Sequence, residues 1–483
     1  MSERSSDFSD PSPLPGSGAD ASREGDAQDP ALIVEGHRER VSGRWSALLA
    51  NLGRSEGIIG PIMLPVRGLR HAFSALRYPY YRIVWAGALV SNIGSWMQNI
   101  ARDWLVNDLS GTTGKFWLGL NAFGEGIALI LMLPLAGVLA DRINRKHLLI
   151  ITNAYQAVLA ALLSLLAATG RLRPWHIVCF SAVNGLGDAV RIPAAQSMLP
   201  SLVGREDLSN AVALGSLQFN ISRMLGPALG GVVLFYFGAT WSFAINAVSF
   251  LAVIAALLCI PAIPMPIVQH RPMLQSFRQG LAFVRRRADL GVILLLIVTT
   301  GFLSAPITKL LAAVVSDLHG GDARSFAGTL VWFGGGAMLA AVLMAARSRH
   351  GPTPWRAMPI IILLGLVEMK IGQSDSLLLL YLLCAATGGL FIGIMVRLNT
   401  AVLYSSPDHV RGRMMSLQML AFRGGMPLGA FAGGILGQFM GIRATLTLFG
   451  AGLVGAGLVF LLATRFVPWQ RAESTTPAVE TLH

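Results

Sequence analysis

The sequence predicts an all-α membrane protein in which twelve transmembrane helices form two six-helix bundles. Three observations lead to this fold class. The chain is 53% hydrophobic and only 13% charged, whereas ordinary soluble domains are about 25% charged. Its apolar residues fall into twelve runs, most of them close to the roughly 20 residues that span a bilayer. A segment of the fifth run also recurs in the eleventh, which indicates a duplicated chain.

The predicted elements follow one another with short connections. A Ser/Asp/Gly/Pro-rich tail over 1–66 is too polar to fold alone, with a basic amphipathic helix over Arg38–Arg54 as the alternative. The first bundle is predicted over 67–260, a basic cytoplasmic linker over 261–288, the second bundle over 289–465 and a cytoplasmic tail over 466–483. The predicted spans are 83–107, 116–140, 147–169, 175–199, 209–236, 241–260, 290–314, 326–346, 357–372, 377–403, 413–438 and 442–464.

The net charge of +13 indicates topology, and no nucleic-acid partner is expected. The basic residues lie in short connections between apolar runs, 14 on the predicted inner loops and five on the outer ones. Positive charge concentrates on the cytoplasmic side of membrane proteins. We therefore expect both termini in the cytoplasm of a multi-pass inner-membrane protein that contacts lipid and is a monomer.

A charged loop between the second and third spans carries the first family resemblance. It reads Gly137-Val-Leu-Ala-Asp141-Arg142-Ile-Asn144-Arg145-Lys146, and Asp141 is placed to cap a neighbouring helix. The loop resembles the Gly-x-x-x-Asp-Arg-x-Gly-Arg-Lys motif of the major facilitator superfamily, which implies a gating role. A generic basic turn is the alternative. Asn144 replaces the second Gly and is expected to keep a left-handed turn, which Asn tolerates.

The internal repeat is the strongest evidence within the chain itself. Ser216-Leu217-Gln218, Arg223 and Pro227 recur 200 residues later as Ser416-Leu417-Gln418, Arg423 and Pro427. Apolar composition alone would not match Gln and Arg. The repeat therefore predicts two halves related by parallel duplication.

Charges inside the predicted spans are candidates for function, because each costs about 2.5–3.5 kcal/mol on insertion scales. Glu125 lies near the middle of its span with no basic residue close in sequence, and Asp188 and Arg191 lie three residues apart. Arg223 is expected to face Glu125 or Asp188. The alternative is an ion-pair network that only holds helices together. The proton-coupling or cavity candidates are Glu125, Asp188, Arg191, Arg223 and Arg423; Asp103, Lys309, Glu368 and Lys370 lie near outer ends, where side chains can reach the membrane surface.

A glycine and proline motif follows Arg223. Gly226-Pro227-Ala-Leu-Gly230-Gly231 is expected to bend its helix and admit a neighbouring backbone. It resembles the Gly-Pro-x-x-Gly-Gly signature of antiporters in the superfamily, which implies export in exchange for protons. A packing kink without bearing on direction is the alternative. Ser181 stands where the antiporter pattern has an Arg, so the usual proton relay does not carry over.

Longer matches narrow the resemblance to one branch of the superfamily. They are Phe73–Trp85, Ser91–Gln98, Arg191–Val203, Asn210–Ser216 and Arg411–Ser416. Together they resemble the bacterial branch that includes the enterobactin exporter and macrolide efflux proteins. By this likeness the cavity candidates are Asn92, Trp96, Gln98 and Trp104.

The expected function is proton-driven efflux of a siderophore, macrolide or other small organic molecule. No Walker loop occurs in the sequence, so ATP is not expected to drive transport directly. No cofactor or metal is expected, because Cys179, Cys259 and Cys384 lie apart within apolar runs. The alternatives are a proton symporter or uniporter that imports a nutrient, and a transport-inactive receptor or scaffold. An enzyme is not expected, since no catalytic constellation stands at the helix ends.

Overall fold

A computed structural model describes residues 73–261, 273–346 and 354–463, and all regular structure in these ranges is helical. The predicted tail helix over 38–54, both terminal tails and the start of the linker lie outside the described residues. The α-helices of the described ranges are α1 (Pro79–Ser110), α2 (Gly114–Arg142), α3 (Arg145–Ala168), α4 (Pro174–Met198), α5 (Leu208–Phe237), α6 (Ala239–Leu258), α7 (Met273–Arg286), α8 (Ala288–Lys309), α9 (Leu311–His319), α10 (Ala323–Ala346), α11 (Met358–Gly372), α12 (Leu377–Ser405) and α13 (Asp408–Ala463).

Lipid is the solvent for most of this surface. In the described part of the chain, seven helical stretches are long and apolar enough to cross a membrane. Two of them, Pro79–Leu133 and Val410–Ala463, each contain two successive helical segments. Large apolar side chains are exposed along the helices, among them Leu131, Val248 and Phe439. Exposure of so much apolar surface to water would be unfavourable, whereas its contact with lipid acyl chains is not.

A glycine interrupts the helical backbone after each copy of the sequence repeat. Gly238 separates α5 from α6 at φ 81° and ψ 172°, and Gly441 interrupts α13 at φ 81° and ψ 162°. These values are nearly the same and lie in a region that only glycine occupies readily. Pro227 and Pro427, the last residues of the sequence repeat, precede these two turns. The two copies of the sequence repeat are thus each followed by a glycine turn of nearly the same backbone conformation.

The basic loop between α2 and α3 differs from its predicted conformation. Asn144 has φ −53° and ψ 126°, so the expectation of a left-handed residue is wrong. Instead, the Asn144 side chain accepts a hydrogen bond from the Lys146 backbone N–H and caps α3. Asn is a preferred N-cap because its oxygen satisfies an N–H that the helix leaves unpaired. Asn144 stands where the resembled motif has its second Gly. It therefore acts as a helix cap and not as a left-handed turn residue.

The predicted span 290–314 is divided in the structure. α8 ends at Lys309, Leu310 leaves helical geometry, and α9 follows directly. Pro306 lies in the last turn of α8. The residues across the break are almost fully buried: Leu310, Leu311, Ala312, Ala313, Val314 and Val315. An unbroken apolar run in the sequence does not reveal such a break, because burial here continues through it.

Helices of the two halves meet through small residues. Gly119 of α2 lies against the backbone of Ala430 and Gly434 in α13, and Gly231 of α5 lies against Ala327 of α10. Gly126 of α2 packs on Pro427. Glycine lets two backbones approach closely in a membrane, where packing rather than hydrophobicity drives helix association. These contacts join α2 to α13 and α5 to α10.

We expect Gly441→Ala to destabilise the protein by about 1–3 kcal/mol, because alanine does not tolerate this backbone conformation. Gly455→Ala is the matched control. Both positions lie in α13 and have open space where the alanine methyl group would stand, but only Gly441 has a positive φ. The measurement is thermal unfolding of purified protein in detergent. Equal melting temperatures for the two variants would contradict the backbone explanation.

Candidate functional site

A buried arginine shared by two carboxylates forms the centre of the candidate site. The side chain of Arg102 in α1 is 2% exposed, and its Nη2 donates to Glu125 Oε2 of α2 at 2.9 Å. Arg102 Nε lies 3.6 Å from Asp103 Oδ1, and Asn121 Nδ2 donates to the same oxygen at 3.1 Å. The four side chains join α1 to α2 inside the first half of the chain.

The helical hairpin explains why these residues meet. A short turn with Gly111 at φ 50° reverses the chain between α1 and α2. Residues at similar distances on either side of the turn therefore lie at similar depth. Asn121 and Glu125 are four residues apart and share one face of α2. Both face Arg102 and Asp103 across the hairpin.

The charges of this cluster do not cancel. Two carboxylates and one guanidinium leave a formal charge of −1 when both acids are ionised. A buried net charge is costly, so the cluster favours a proton or a cationic group that neutralises it. Glu125 is the accessible member, with a side chain 25% exposed.

A second polar cluster lies in α3 and α4, nearer the basic loop. Arg191 Nε and Nη2 both donate to Asp188 Oδ1, at 3.0 and 2.9 Å. Gln156 Nε2 of α3 donates to Asp188 Oδ1 and to Asn184 Oδ1, each at 3.0 Å. Asp188 and Arg191 therefore neutralise each other. This pair fits a stabilising ion pair as well as a functional one.

Arg223 does not face either carboxylate, so the expected pairing is wrong for this conformation. Glu125 pairs with Arg102, and Asp188 pairs with Arg191. The Arg223 guanidinium instead lies 5.0 Å from the ring centroid of Phe333 in α10. This cation–π contact joins the two halves of the chain. Arg423 is half-buried at the corresponding position of α13.

The basic loop binds helix ends within the first half. Arg145 Nη1 donates to the Ser197 carbonyl at 2.7 Å, and Lys146 Nζ donates to the Ile260 carbonyl. These carbonyls lie at the C-terminal ends of α4 and α6, where positive charge is favoured. The side chains of Gly137, Asp141 and Arg142 lie outside the described residues, so the predicted cap by Asp141 stays a prediction.

The four cavity candidates of α1 fall into different surroundings. Gln98 is buried and accepts from Asn246 Nδ2 of α6 at 2.9 Å, so its assignment to a cavity is wrong in this conformation. Trp96 contacts Phe219 of α5 edge to face, with ring centroids 6.0 Å apart. Trp104 stacks on Phe326 of α10 at 5.9 Å. Asn92 is half-buried.

The glycine and proline motif packs α5 against two neighbours. Gly226 lies against Trp96 and Gly230 against Met97, both in α1, and Gly231 lies against Ala327 of α10. The helix continues from Leu208 to Phe237 through Pro227. The close approach that the motif implies is present on both sides of α5.

A family model described as "Transmembrane secretion effector" matches residues 70–480. The chain belongs to this family of the major facilitator superfamily. It is therefore a transporter and a multi-pass protein of the inner membrane, and the superfamily handles small-molecule substrates.

Three curated relatives of this superfamily member are transporters. The Staphyloferrin A transporter of Staphylococcus aureus is 26% identical over 79% of this chain and 96% of that protein. The multidrug efflux pump Tap of Mycolicibacterium fortuitum is 24% identical over 80% of this chain and 96% of that protein. The enterobactin exporter EntS of Shigella boydii is 25% identical over 83% and 95%.

Solved structures of the superfamily share the fold. A bacterial homologue of the human lysosomal transporter Spinster, inward-facing and unoccupied, aligns with a TM-score of 0.65 at 15% identity, over 82% of this chain and 99% of that one. A D-xylose–proton symporter aligns with a TM-score of 0.63 at 13% identity, over 81% and 98%. At these identities the likeness concerns the fold alone.

The transporter also has a polar contact between its halves that sequence reasoning missed. Lys115 Nζ at the start of α2 lies 2.6 Å from Asp317 Oδ2 of α9, and Asn107 Nδ2 of α1 donates to Ser316 Oγ at 3.0 Å. His319 of α9 bonds Ser374 Oγ beyond α11 at 3.0 Å. Partial burial and then Arg443 lower the pKa of His319, against an opposing effect of Asp375, and this favours the neutral ring. These contacts lie at the end of the helices opposite the basic loop.

Glu368 also departs from its expected place. The sequence predicts that it reaches the membrane surface from an outer helix end, but its side chain is fully buried in α11. The pairing of Arg102 with Glu125 was not predicted from the sequence either. Its signal there was that the two residues lie on opposite sides of the Gly111 turn.

We expect Arg102→Met to destabilise the transporter by about 1–3 kcal/mol, because it leaves two partly buried carboxylates without their cation. The double variant Arg102→Met/Glu125→Gln should recover part of this loss, since only Asp103 then remains charged. Thermal unfolding in detergent measures both. If the double variant is no more stable than the single one, Glu125 is not coupled to Arg102.

Proposed function

We propose that the transporter exports a small organic molecule, a siderophore or an amphiphilic drug, in exchange for protons. The single observation that carries the proposal is the Arg102, Asp103 and Glu125 cluster, whose formal charge of −1 favours binding of one proton. The relatives support the substrate class, since their names cover two siderophores and multiple drugs.

Glu125 is the proton carrier in this proposal. Protonation would neutralise its carboxylate and weaken the bond from Arg102, which frees the guanidinium to hold Asp103 alone. The cluster thus alternates between a charged, tightly bonded form and a neutral, looser form. Binding of the proton in one half can change the relative free energies of the two conformations of the transporter. The movement of protons is then coupled to the movement of the exported molecule.

The proposed architecture has twelve spans in two six-helix bundles, with both termini cytoplasmic and the chain acting as a monomer. Supporting it are the two glycine turns at Gly238 and Gly441 and the repeated Gln and Arg residues. One bundle rocks against the other around a central path. The Lys115–Asp317 pair closes the end opposite the basic loop. The path then opens toward the end that carries Arg145 and Lys146.

The direct test uses everted membrane vesicles that have been acidified inside by respiration. Adding a substrate of the transporter should dissipate part of the proton gradient, as seen by recovery of a quenched pH-sensitive dye. A panel of siderophores, macrolides and cationic dyes covers the proposed class. No response to any of them would favour the alternatives, an importer or a transport-inactive scaffold.

We expect Glu125→Gln to abolish proton-coupled export while the protein still folds, because the amide cannot exchange the proton. Glu206→Gln is the matched control, since Glu206 is an exposed glutamate outside the spans, with a side chain 66% exposed. Vesicle dye recovery and the amount of folded protein are measured together. Normal export by the Glu125 variant would remove this residue from the mechanism.

The closing pair is tested by charge reversal. Lys115→Asp should place two carboxylates together and reduce transport roughly three- to tenfold, in line with about 1 kcal/mol for a partly exposed pair. The double variant Lys115→Asp/Asp317→Lys should restore transport, since it recreates the attraction with the signs exchanged. Transport rates in vesicles give the comparison. A double variant as impaired as the single one would show that the pair does not close the path.

A further inference from the structure

Glu368 is a buried carboxyl that the proposed mechanism does not use. It lies in α11, in the second half of the chain, and is 0% exposed. The Arg102 cluster lies in α1 and α2 of the first half, so the two are separate groups. Acidic side chains are almost never fully buried unless they are paired. The residues around Glu368 therefore determine whether its carboxyl group is ionised or protonated.

The position of Glu368 on α11 is fixed by two glycines. Gly365, Glu368 and Gly372 are spaced by three and four residues and share one helix face. A methyl group in place of the Gly365 hydrogen would lie 2.5 Å from the Gly450 carbonyl oxygen, and one at Gly372 would lie 3.2 Å from the Arg443 carbonyl oxygen. The last part of α13 therefore packs closely on α11 one turn before and one turn after Glu368. The two glycines also lie against the fully buried Leu453 and Leu446 of α13, and Glu368 lies between the glycines on the same helix face.

Glu368 has no polar partner among the described residues. Neither carboxyl oxygen accepts or donates a hydrogen bond, and both atoms are buried. The elements packed against α11 are α13, α12, α8 and the turn at Pro354–Ala357. None of the titratable groups on these elements forms a hydrogen bond or ion pair with Glu368, among them Arg443, Cys384, Tyr381 and Lys309 at the same end, and Arg356, Arg397 and Asp289 at the other.

An ionised carboxylate in this place would lose its hydration and gain nothing in return. That loss costs several kcal/mol, and a group in such surroundings takes up a proton instead. A neutral carboxyl costs far less to bury. The close packing on both sides excludes water that would otherwise stabilise the charge.

We propose that Glu368 binds a proton in this conformation and releases it in a conformation that admits water to this face of α11. Glu368 is then a proton-binding site of the second half, separate from Glu125. The site gains a role in transport only if the proposed function holds, because release must follow the alternation between conformations. Its protonation state, however, is a property of the substrate-free protein.

Infrared spectroscopy of the purified full chain in lipid nanodiscs tests the protonation state directly. At about neutral pH, where free glutamate is ionised, we expect a protonated-carboxyl band that disappears in Glu368→Gln. The band should persist in Glu206→Gln, the exposed control. A spectrum that does not change in Glu368→Gln overturns the proposal.

The pH dependence of stability gives a second measure. A proton that is bound in the folded state and lost on unfolding makes stability fall as the pH rises. From about pH 6 to about pH 8, the unfolding equilibrium constant of the wild type should increase by up to tenfold per pH unit relative to Glu368→Gln. Parallel pH profiles for the two proteins would also overturn the proposal.

Failure to fold is an informative outcome here. A neutral Glu368 in apolar surroundings can be replaced by Gln or by Met, so at least one of these variants should assemble. Loss of both would mean that an ionised Glu368 has a partner, and the proposal would be wrong. None of these measurements uses substrate, so a negative vesicle assay would leave them unchanged and the two proposals fail separately.

Discussion

The bond between Arg102 and Glu125 is the interaction on which the rest of the candidate site depends. It brings a cation that is 2% exposed into contact with the more accessible of two carboxylates. Without the arginine, both acids would be buried charges in a hairpin surrounded by lipid. With it, the hairpin retains one uncompensated negative charge. The same contact therefore joins α1 to α2 and compensates only one of the two negative charges there.

Small residues determine where the two halves touch. Gly119 meets Gly434, Gly126 meets Pro427, and Gly231 meets Ala327. In each case a side chain larger than the one present would separate two backbones. The packing of α2 on α13 and of α5 on α10 thus depends on the small volume of the side chains at the contacts. Polar contacts such as Lys115–Asp317 determine which residues face each other. A change between conformations has to preserve or replace these close approaches.

The helices, the family and the repeat were predictable from sequence because each depends on local composition or on identity at fixed spacing. Apolar runs and basic loops gave the helix positions within a few residues. The pairing of Arg102 with Glu125 was missed because they are 23 residues apart and meet only through the hairpin. The contact of Gln98 with Asn246 was not predicted, because the family resemblance that named Gln98 as a cavity candidate does not show which helix its amide faces. Burial of Glu368 was missed since depth along a helix does not reveal which neighbour covers a face.

The break between α8 and α9 has a consequence for leakage. Residues Leu310–Val315 are apolar and nearly inaccessible, and they lie beside the only described ion pair that joins the two halves, Lys115–Asp317. Such a segment offers no side-chain hydrogen-bond partner along which a chain of water molecules could form. An ion entering this part of the protein would lose its hydration and gain no polar side-chain partner from these residues, which disfavours the leakage of charge along this segment.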